Sequence, residues 1–468
     1  MTVDDATADD ATAESGTGRR VVMLVDNGVE GDSRVQKTAM SAAEAGWDVV
    51  LLGCSPTDAP QRWRLGSAQV HLLPLNAPSA AAGQRSATGR LRARLLARGG
   101  PLLRAARWAR RPVEYAQVWF WRAALGDRAW RRLEPGLWNY ERAFGAVIDG
   151  LAPDLIHAHD FRMLGVGARA AARARAAGRP VKLVWDAHEF LPGAKPRRDN
   201  ARWLPAHLAH EREYVPYADA VVTVSAALAD LLRAQHDLAE RPAVVLNAPA
   251  VTPPPPADAA PAPDLRRLCH LDDGTPLLVY SGSATAQRGL DTVVAALTRL
   301  EGVHLALVVG DASTPYLRQL LAAAARLGVA DRIHFVPYVP HWQVPALLAS
   351  ADAGVIPIHH WPNHEIALIT KFFEYSHARL PIVVSEVRTM ADTVRATGQG
   401  EVFRTRDPAD FARAARAVLA DPRRYRAVYD GPDSPLPAWT WEAQAALLDA
   451  LYRRLLAGDQ TIKEATTR

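Results

Sequence analysis

Lys371 and Glu374 stand three residues apart at what reads as the opening of a helix, within the stretch His364 to Ser385. A helix start carries unpaired backbone N–H groups and partial positive charge, so it favours an anion, and Lys371 adds a full charge beside it. That combination suits a diphosphate. Glu374 lies one turn further in, where a carboxylate can accept two hydroxyls of a ribose or another sugar. The same pair also suits an ordinary surface helix, where Lys and Glu at this spacing are common. Two further groups come from strand ends. Asp154-Leu-Ile-His-Ala-His-Asp160 and Val181-Lys-Leu-Val-Trp-Asp-Ala-His-Glu189 each run from apolar strand into polar side chains. His159 and Asp160, then His188 and Glu189, therefore arrive at equivalent places. A lone histidine is usually structural, but two from separate elements aimed at one crevice weigh against that reading.

The elements that must position these groups alternate between strand and helix. Val21 to Asp26 reads as a buried strand and is followed by the loop Asn27-Gly-Val-Glu-Gly-Asp32. Ser33 to Ala45 then reads as a helix, with Val35, Ala39, Met40 and Ala43 at helical spacing and Gly46 closing it. A second strand, Asp48 to Gly53, completes a unit of the kind that builds a parallel sheet. Ligands of such sheets bind at the carboxyl ends of the strands, where Gly28, Gly31 and Asp32 fall. The loop lacks the G-x-G-x-x-G spacing of a dinucleotide fingerprint. Further strands are expected at Asp219 to Ser225 and Ala243 to Leu246. The run Pro249 to Pro263, with four prolines from Pro253 to Pro256, reads as a semi-rigid linker. Beyond it a second alternating set begins at Leu277. There Phe372, Phe373 and His377 face inward, and Leu380-Pro381 leads into the strand Ile382 to Val384. The last helix, Trp441 to Leu456, is expected to lean back on the first domain. The expected divisions are a disordered tail over 1–19, a first domain over 20–248, a linker over 249–264, a second domain over 265–438, and a terminal helix and tail over 439–468.

Charge and composition narrow the classes of function. The net charge of +5 is concentrated between residues 84 and 135, where Arg90, Arg92, Arg94, Arg98, Arg104, Arg107, Arg110 and Arg111 precede Trp119, Phe120, Trp121, Trp130 and Arg131-Arg132. Three readings stand for this segment: a solvated helical insertion packed on the first sheet, a contact with an anionic membrane surface, or a nucleic-acid contact. No reading motif accompanies the charge, so no nucleic acid is expected. No apolar run approaches the roughly 18 residues of a membrane-spanning helix. Met1 to Gly18 has neither the basic start nor the apolar centre of a secretory signal. Two cysteines, Cys54 and Cys269, fit a reducing cytoplasm rather than a disulfide framework or a cysteine metal site. A cytoplasmic protein is expected, held at the inner face of the membrane in the second reading.

Taken together, the motifs resemble those of the retaining family-4 glycosyltransferases. These are Gly31-Asp-Ser-Arg-Val-x-Lys37; Pro153-Asp-Leu-Ile-His-Ala-His-Asp160; Asp186-Ala-His-Glu189; Val222-Thr-Val-Ser225; Tyr280-Ser-Gly282 with Arg288-Gly-Leu-Asp291; Val308-Val-Gly-Asp311; Phe335-Val-Pro337; and Lys371-Phe-Phe-Glu-Tyr375 with Leu380-Pro381. Each is weak alone; their order and spacing are specific from about Val21 to Tyr452, leaving out the Arg/Trp-rich segment. The resemblance implies an α/β protein of GT-B architecture, two Rossmann-like domains facing a cleft, with the last helix returning to the first domain.

It also implies roles. The second domain would bind a nucleotide-diphosphate sugar, with Glu374 on the ribose, Arg288 and Lys371 on the diphosphate, and Gly282, Ser283, Glu365 and Thr370 around the donor. Gly28, Gly31 and Asp32 would bring the first loop to the diphosphate or donor sugar, with His159 beside the reacting centre. Asp160, His188 and Glu189 would face an acceptor hydroxyl, which the membrane reading would place on a lipid. Arg, Lys and helix-start amides would supply the positive charge for the departing diphosphate, so neither a metal nor a cofactor is expected. Three positions depart from the family pattern: Ile366, with Glu365 beside it, where a Glu is usual; Ser283 for an Arg; and Arg379 for a Gly. These departures motivate a second class of reading, a binding or scaffold protein that keeps the fold. A GT-B sugar-nucleotide 2-epimerase shares the architecture but not the quoted motifs.

Overall fold

The structure, a computed structural model, describes residues 18–75, 101–194, 200–251 and 261–466. The first domain is built on eight strands: β1 Arg20–Leu24, β2 Asp48–Cys54, β3 Gln61–Leu65, β4 Ala68–Leu73, β5 Leu155–His159, β6 Lys182–Ala187, β7 Ala220–Thr223 and β8 Ala243–Val244. They lie in the order β3-β4-β2-β1-β5-β6-β7-β8. All neighbours are parallel except the β3–β4 hairpin. The central strands are apolar on both faces, as a sheet covered by helices on both sides requires: Val21, Val22, Met23 and Leu24 have no exposed surface. The chain order reverses between β1 and β5, which opens a crevice at their carboxyl ends. Asn27–Asp32 and His159–Asp160 emerge there.

The second domain repeats the plan with six parallel strands: β9 Leu277–Ser281, β10 His304–Val308, β11 Ile333–Val336, β12 Ala353–Ile356, β13 Ile382–Ser385 and β14 Gly400–Phe403. Their order is β11-β10-β9-β12-β13-β14, so the switch point falls between β9 and β12. The chain crosses between domains at Asn247–Pro249 and again before the helix Trp441–Thr466. That helix packs Trp441, Leu448, Leu451, Tyr452 and Leu456 onto the core of the first sheet around Val21, Met23, Val35 and Ala39, as expected, and Trp47 Nε1 donates to Asp449 Oδ1 at 2.8 Å.

One feature differs from expectation, and a second gives the helical reading of the Arg/Trp-rich segment its bounds. The hairpin β3–β4 was not anticipated: in Gln-Arg-Trp-Arg-Leu65 the charged alternation is that of an edge strand, with Gly66 at φ +58° making the turn. The Arg/Trp-rich segment contains one long helix, Pro101–Leu125, with Pro112 inside it. Arg90, Arg92, Arg94 and Arg98 lie outside the described residues, as do Met1 to Thr17 and Pro253 to Pro256; nothing is described of the side chains of Arg104, Arg107 and Arg110. The aromatics divide: Trp130 is fully buried against Trp138, His210 and Tyr214, while Trp119 and Phe120 are 73% and 53% exposed.

Candidate active site

On the second domain the helix Thr370–His377 opens without a side-chain cap, its preceding residue Ile369 in extended conformation. Phe372, Phe373 and Tyr375 are fully buried and fix it to the sheet. Tyr375 Oη accepts from Ser281 N–H at 2.9 Å and its ring lies where a side chain on Gly354 would stand. This anchoring presents Lys371 to the end of β9. Lys371 is buried, its Nζ 3.6 Å from the centroid of the Tyr280 ring. Gly282, at φ +119°, leaves the room: a Cβ there would lie 3.1 Å from Nζ. Among the described residues no carboxylate stands within ion-pair distance of it. Burial, then Arg288, hold the Lys371 amine well below the usual lysine range, with Glu374 opposing. Arg288 precedes Gly289, whose φ of +68° and approach to the Pro357 carbonyl admit no side chain. Burial pushes the Glu374 carboxyl up, against Lys371 and Lys37. Two neighbouring cations and one carboxylate at an uncapped helix start form a site suited to a diphosphate beside a diol.

On the first domain, Asp32 is spent on structure: its carboxylate accepts from Val35 N–H at 3.3 Å and from Asn27 Nδ2 at 2.8 Å. Gly31 is at φ +79° in this turn. A cavity of about 400 Å³ opens beside it, lined by Asn27, Glu30, Gly31, Asp32, Ser33, Arg34 and Asn247. Behind it Arg34, nearly fully buried, holds Asp186 through Nε at 3.0 Å and Nη2 at 2.9 Å. Asp186 Oδ2 is 3.4 Å from a ring nitrogen of each of His157, His159 and His188. His157 and His159 have no exposed surface, whereas the His188 side chain is 21% exposed, so His188 is the member of the set that reaches the cleft. Burial, with His157, lowers His159 to about 3, and Asp186 opposes. Against burial, Asp186 holds His188 above its usual value. Asp160, at φ +64°, is pushed up to about 7 by burial, with Glu189 and Asp26 adding and His188 opposing. His157, His159 and Asp186 place one ligand atom each within 4.8 Å of one another. Arg34 already engages both oxygens of that carboxylate, and its charge opposes a cation.

The domains meet around this cleft. Ser225 Oγ donates to the Ile366 carbonyl at 2.5 Å, Asn363 Oδ1 accepts from Phe190 N–H at 3.0 Å, and Asn363 Nδ2 donates to Glu189 at 3.2 Å. Ile366 is buried in the core of the first domain. Glu365 is engaged at the start of the next helix, accepting from Arg388 N–H at 2.9 Å, and pairs with His360 at 2.6 Å. Ser283 is exposed and its carbonyl accepts from Tyr280 Oη at 2.7 Å. Thr370 Oγ1 accepts from Asn247 Nδ2 at 3.1 Å. Arg379 lies at the far end of the Thr370–His377 helix at φ +56°, paired with Asp430, which accounts for a glycine being usual there. Sequence reasoning gave no role to Arg34, Lys37, Asp186, Asn247 or Tyr280. Asp186 ends the same strand as His188, and Arg34 and Lys37 stand three apart on one helix face, but their partners lie far along the chain.

Two family models match the chain: Glycosyltransferase Family 4 over residues 81–248 and Glycosyl transferases group 1 over residues 264–430. The first match includes the Arg/Trp-rich segment that the motif comparison left out. A D-inositol 3-phosphate glycosyltransferase of Xylanimonas cellulosilytica is 30% identical over 246 residues, covering 51% of this chain and 58% of that protein. The chain spans about half the length of the first curated relatives it matches. Sucrose-phosphate synthase from Thermosynechococcus elongatus superposes with a TM-score of 0.67 at 18% identity, covering 94% of this chain and all of that one. HepE of Anabaena, solved with UDP and glucose, superposes with a TM-score of 0.62 at 14% identity, covering 93% of this chain and all of that one. With two Rossmann-like sheets facing one cleft and a family model matched on each, the chain belongs to the family-4-like glycosyltransferases of GT-B fold.

Proposed function

We propose that the protein transfers a sugar from a nucleotide-diphosphate donor to an acceptor hydroxyl, with retention of anomeric configuration and without a metal. The observation that carries this reading is the arrangement of Lys371, Arg288 and Glu374 around an uncapped helix start. A buried lysine set over an aromatic face, its charged form disfavoured by burial and by Arg288, gains most from an anion beside it, and positive charge preorganised in this way stabilises a departing diphosphate. Glu374 would take the ribose hydroxyls. The acceptor would lie across the cleft against Asp160, His188 and Glu189, with His159 acting on the reacting centre through His188, from which it is separated by 3.3 Å. Relatives named for glycosyl transfer and a neighbour solved with UDP and glucose support the donor class.

The acceptor reading extends to a lipid surface. Trp119 and Phe120 are exposed on the helix Pro101–Leu125, near exposed Arg122 and Arg128, and interfacial aromatics with basic side chains suit an anionic leaflet. No helix among the described residues is long and apolar enough to cross a membrane.

A panel of nucleotide sugars tested by thermal unfolding addresses the donor: at about 100 times its Kd a ligand adds roughly 2.7 kcal/mol. Proton NMR of the product made from the stabilising donor then reads the anomeric configuration. An inverted product, or donor turnover only to an epimer without an acceptor, would replace the reading.

A further inference from the structure

Lys37 has no part in the mechanism above, yet its amine stands where both chain crossings meet. From the first crossing, Asn247 Oδ1 accepts from Nζ at 3.0 Å and the Ala248 carbonyl at 2.5 Å. From the second, the Trp441 ring lies 4.7 Å from Nζ, and Trp441 N–H donates to the Pro249 carbonyl at 2.8 Å, tying the crossings together. Asn247 carries the link onward, its Nδ2 donating to Thr370 Oγ1 at 3.1 Å at the first residue of the donor helix. Lys37 also acts on Glu374: it and Lys371, one from each domain, are the cations that oppose the burial of that carboxylate.

We propose that Lys37 is a positioning residue of the donor site, its ammonium holding the start of the Thr370–His377 helix through Asn247, so that nucleotide affinity follows its charge. The inference rests on the donor-site reading of Lys371 and Glu374. The charged groups facing Lys37 are Arg34 and Asp32 from its own helix and its cap, Glu374 from the donor helix and Glu442 from the terminal helix. Burial, then Arg34, bring the amine down to about 7, with Glu374, Glu442 and Asp32 opposing. Binding that needs the ammonium is therefore strongest below neutrality and lost as pH rises through it.

The test uses the full chain with UDP, GDP and ADP as probes. The tightest of the three is titrated by calorimetry between pH 6 and 9 into the wild type, Lys37→Met and Lys37→Arg. The wild-type Kd is expected to weaken roughly tenfold across that range, the equivalent of one pKa unit of interaction. Lys37→Met should bind as weakly at pH 6 as the wild type does at pH 9, and Lys37→Arg, charged throughout, should give a flat profile. The preference for diphosphate over nucleoside, set by Lys371 and Arg288, should persist in Lys37→Met. Near-ultraviolet circular dichroism shows that this variant is folded; removing a desolvated charge with a side chain of similar length favours that. A Lys37→Met protein that keeps the wild-type Kd at pH 6, or follows the wild-type pH curve, overturns the inference alone if Glu374→Ala still weakens binding. Failure of all three nucleotides to bind at any pH overturns the donor-site reading and the inference with it.

Discussion

Glu374 and Lys371 illustrate how burial and neighbouring charge change the chemistry of ordinary side chains. Glu374 is pushed up by burial and held back by one lysine from each domain, so a diol whose hydroxyls donate to its carboxylate relieves a cost already present. Glu374→Ala is expected to weaken nucleotide binding by about 1.5–3 kcal/mol, the worth of a hydrogen bond to a charged group. Lys371→Ala and Arg288→Ala should lower kcat/KM while leaving nucleoside affinity unchanged; equal loss for nucleoside and diphosphate would indicate a folding defect. Asp160 gives a pH prediction. Its folded pKa of about 7 lies above the ordinary value of 3.8, so its ionised form destabilises the fold. The penalty is absent below about pH 4, grows between that value and 7, and is complete above it. Asp160→Asn, which tolerates the positive φ, should therefore raise Tm relative to the wild type at pH 8 and leave it unchanged at pH 4. A gain of the same size at both pH values would place the effect elsewhere.

The helix Pro101–Leu125 and the short turns after it carry two kinds of aromatic residue. Trp130 is fully buried, with its indole N–H donating to Glu213 at 2.6 Å, so Trp130→Ala is expected to cost about 3–5 kcal/mol in a denaturant titration. Trp119 and Phe120 are exposed, and replacing both with Ser should leave stability within about 0.5 kcal/mol. If they form the lipid-facing surface, the double variant should lose co-sedimentation with anionic liposomes at low salt. Equal sedimentation of variant and wild type, or none by either, would leave the helix a structural element only.

At the scale of the whole molecule, the two domains are joined at more than one place, at Asn363 and Ile366 and again through Asn247 and Thr370. Ile366 belongs to the chain of the second domain but to the core of the first, and Ser225 fixes its carbonyl. The position where the family usually carries a Glu is thus used here to join the domains. Ile366→Glu would drive a carboxylate into an apolar core. It should lower Tm and separate the two unfolding transitions in calorimetry, without improving donor affinity. A stable variant with tighter donor binding would show that the position lines the donor site after all.

What the sequence determined by itself is local. Apolar runs broken by polar strand ends placed His159, His188 and the Asn27–Asp32 loop at the carboxyl edge of one sheet, because a strand buried on both faces has no other place for polar groups. Phe372 and Phe373 marked the inward side of their helix, where both are fully buried, and the order of motifs pointed to two such domains. The β3–β4 hairpin escaped because its charged alternation resembles a loop until an edge of the sheet is there to pair with it. Tertiary structure decided the rest. His159 lies behind His188 rather than in front of it, Arg34 meets Asp186 across 152 positions of chain, and Lys37 reaches the Thr370–His377 helix through Asn247. Burial and ion pairing are set by groups distant in sequence, and a residue's charge in the cleft depends on those neighbours more than on its own type.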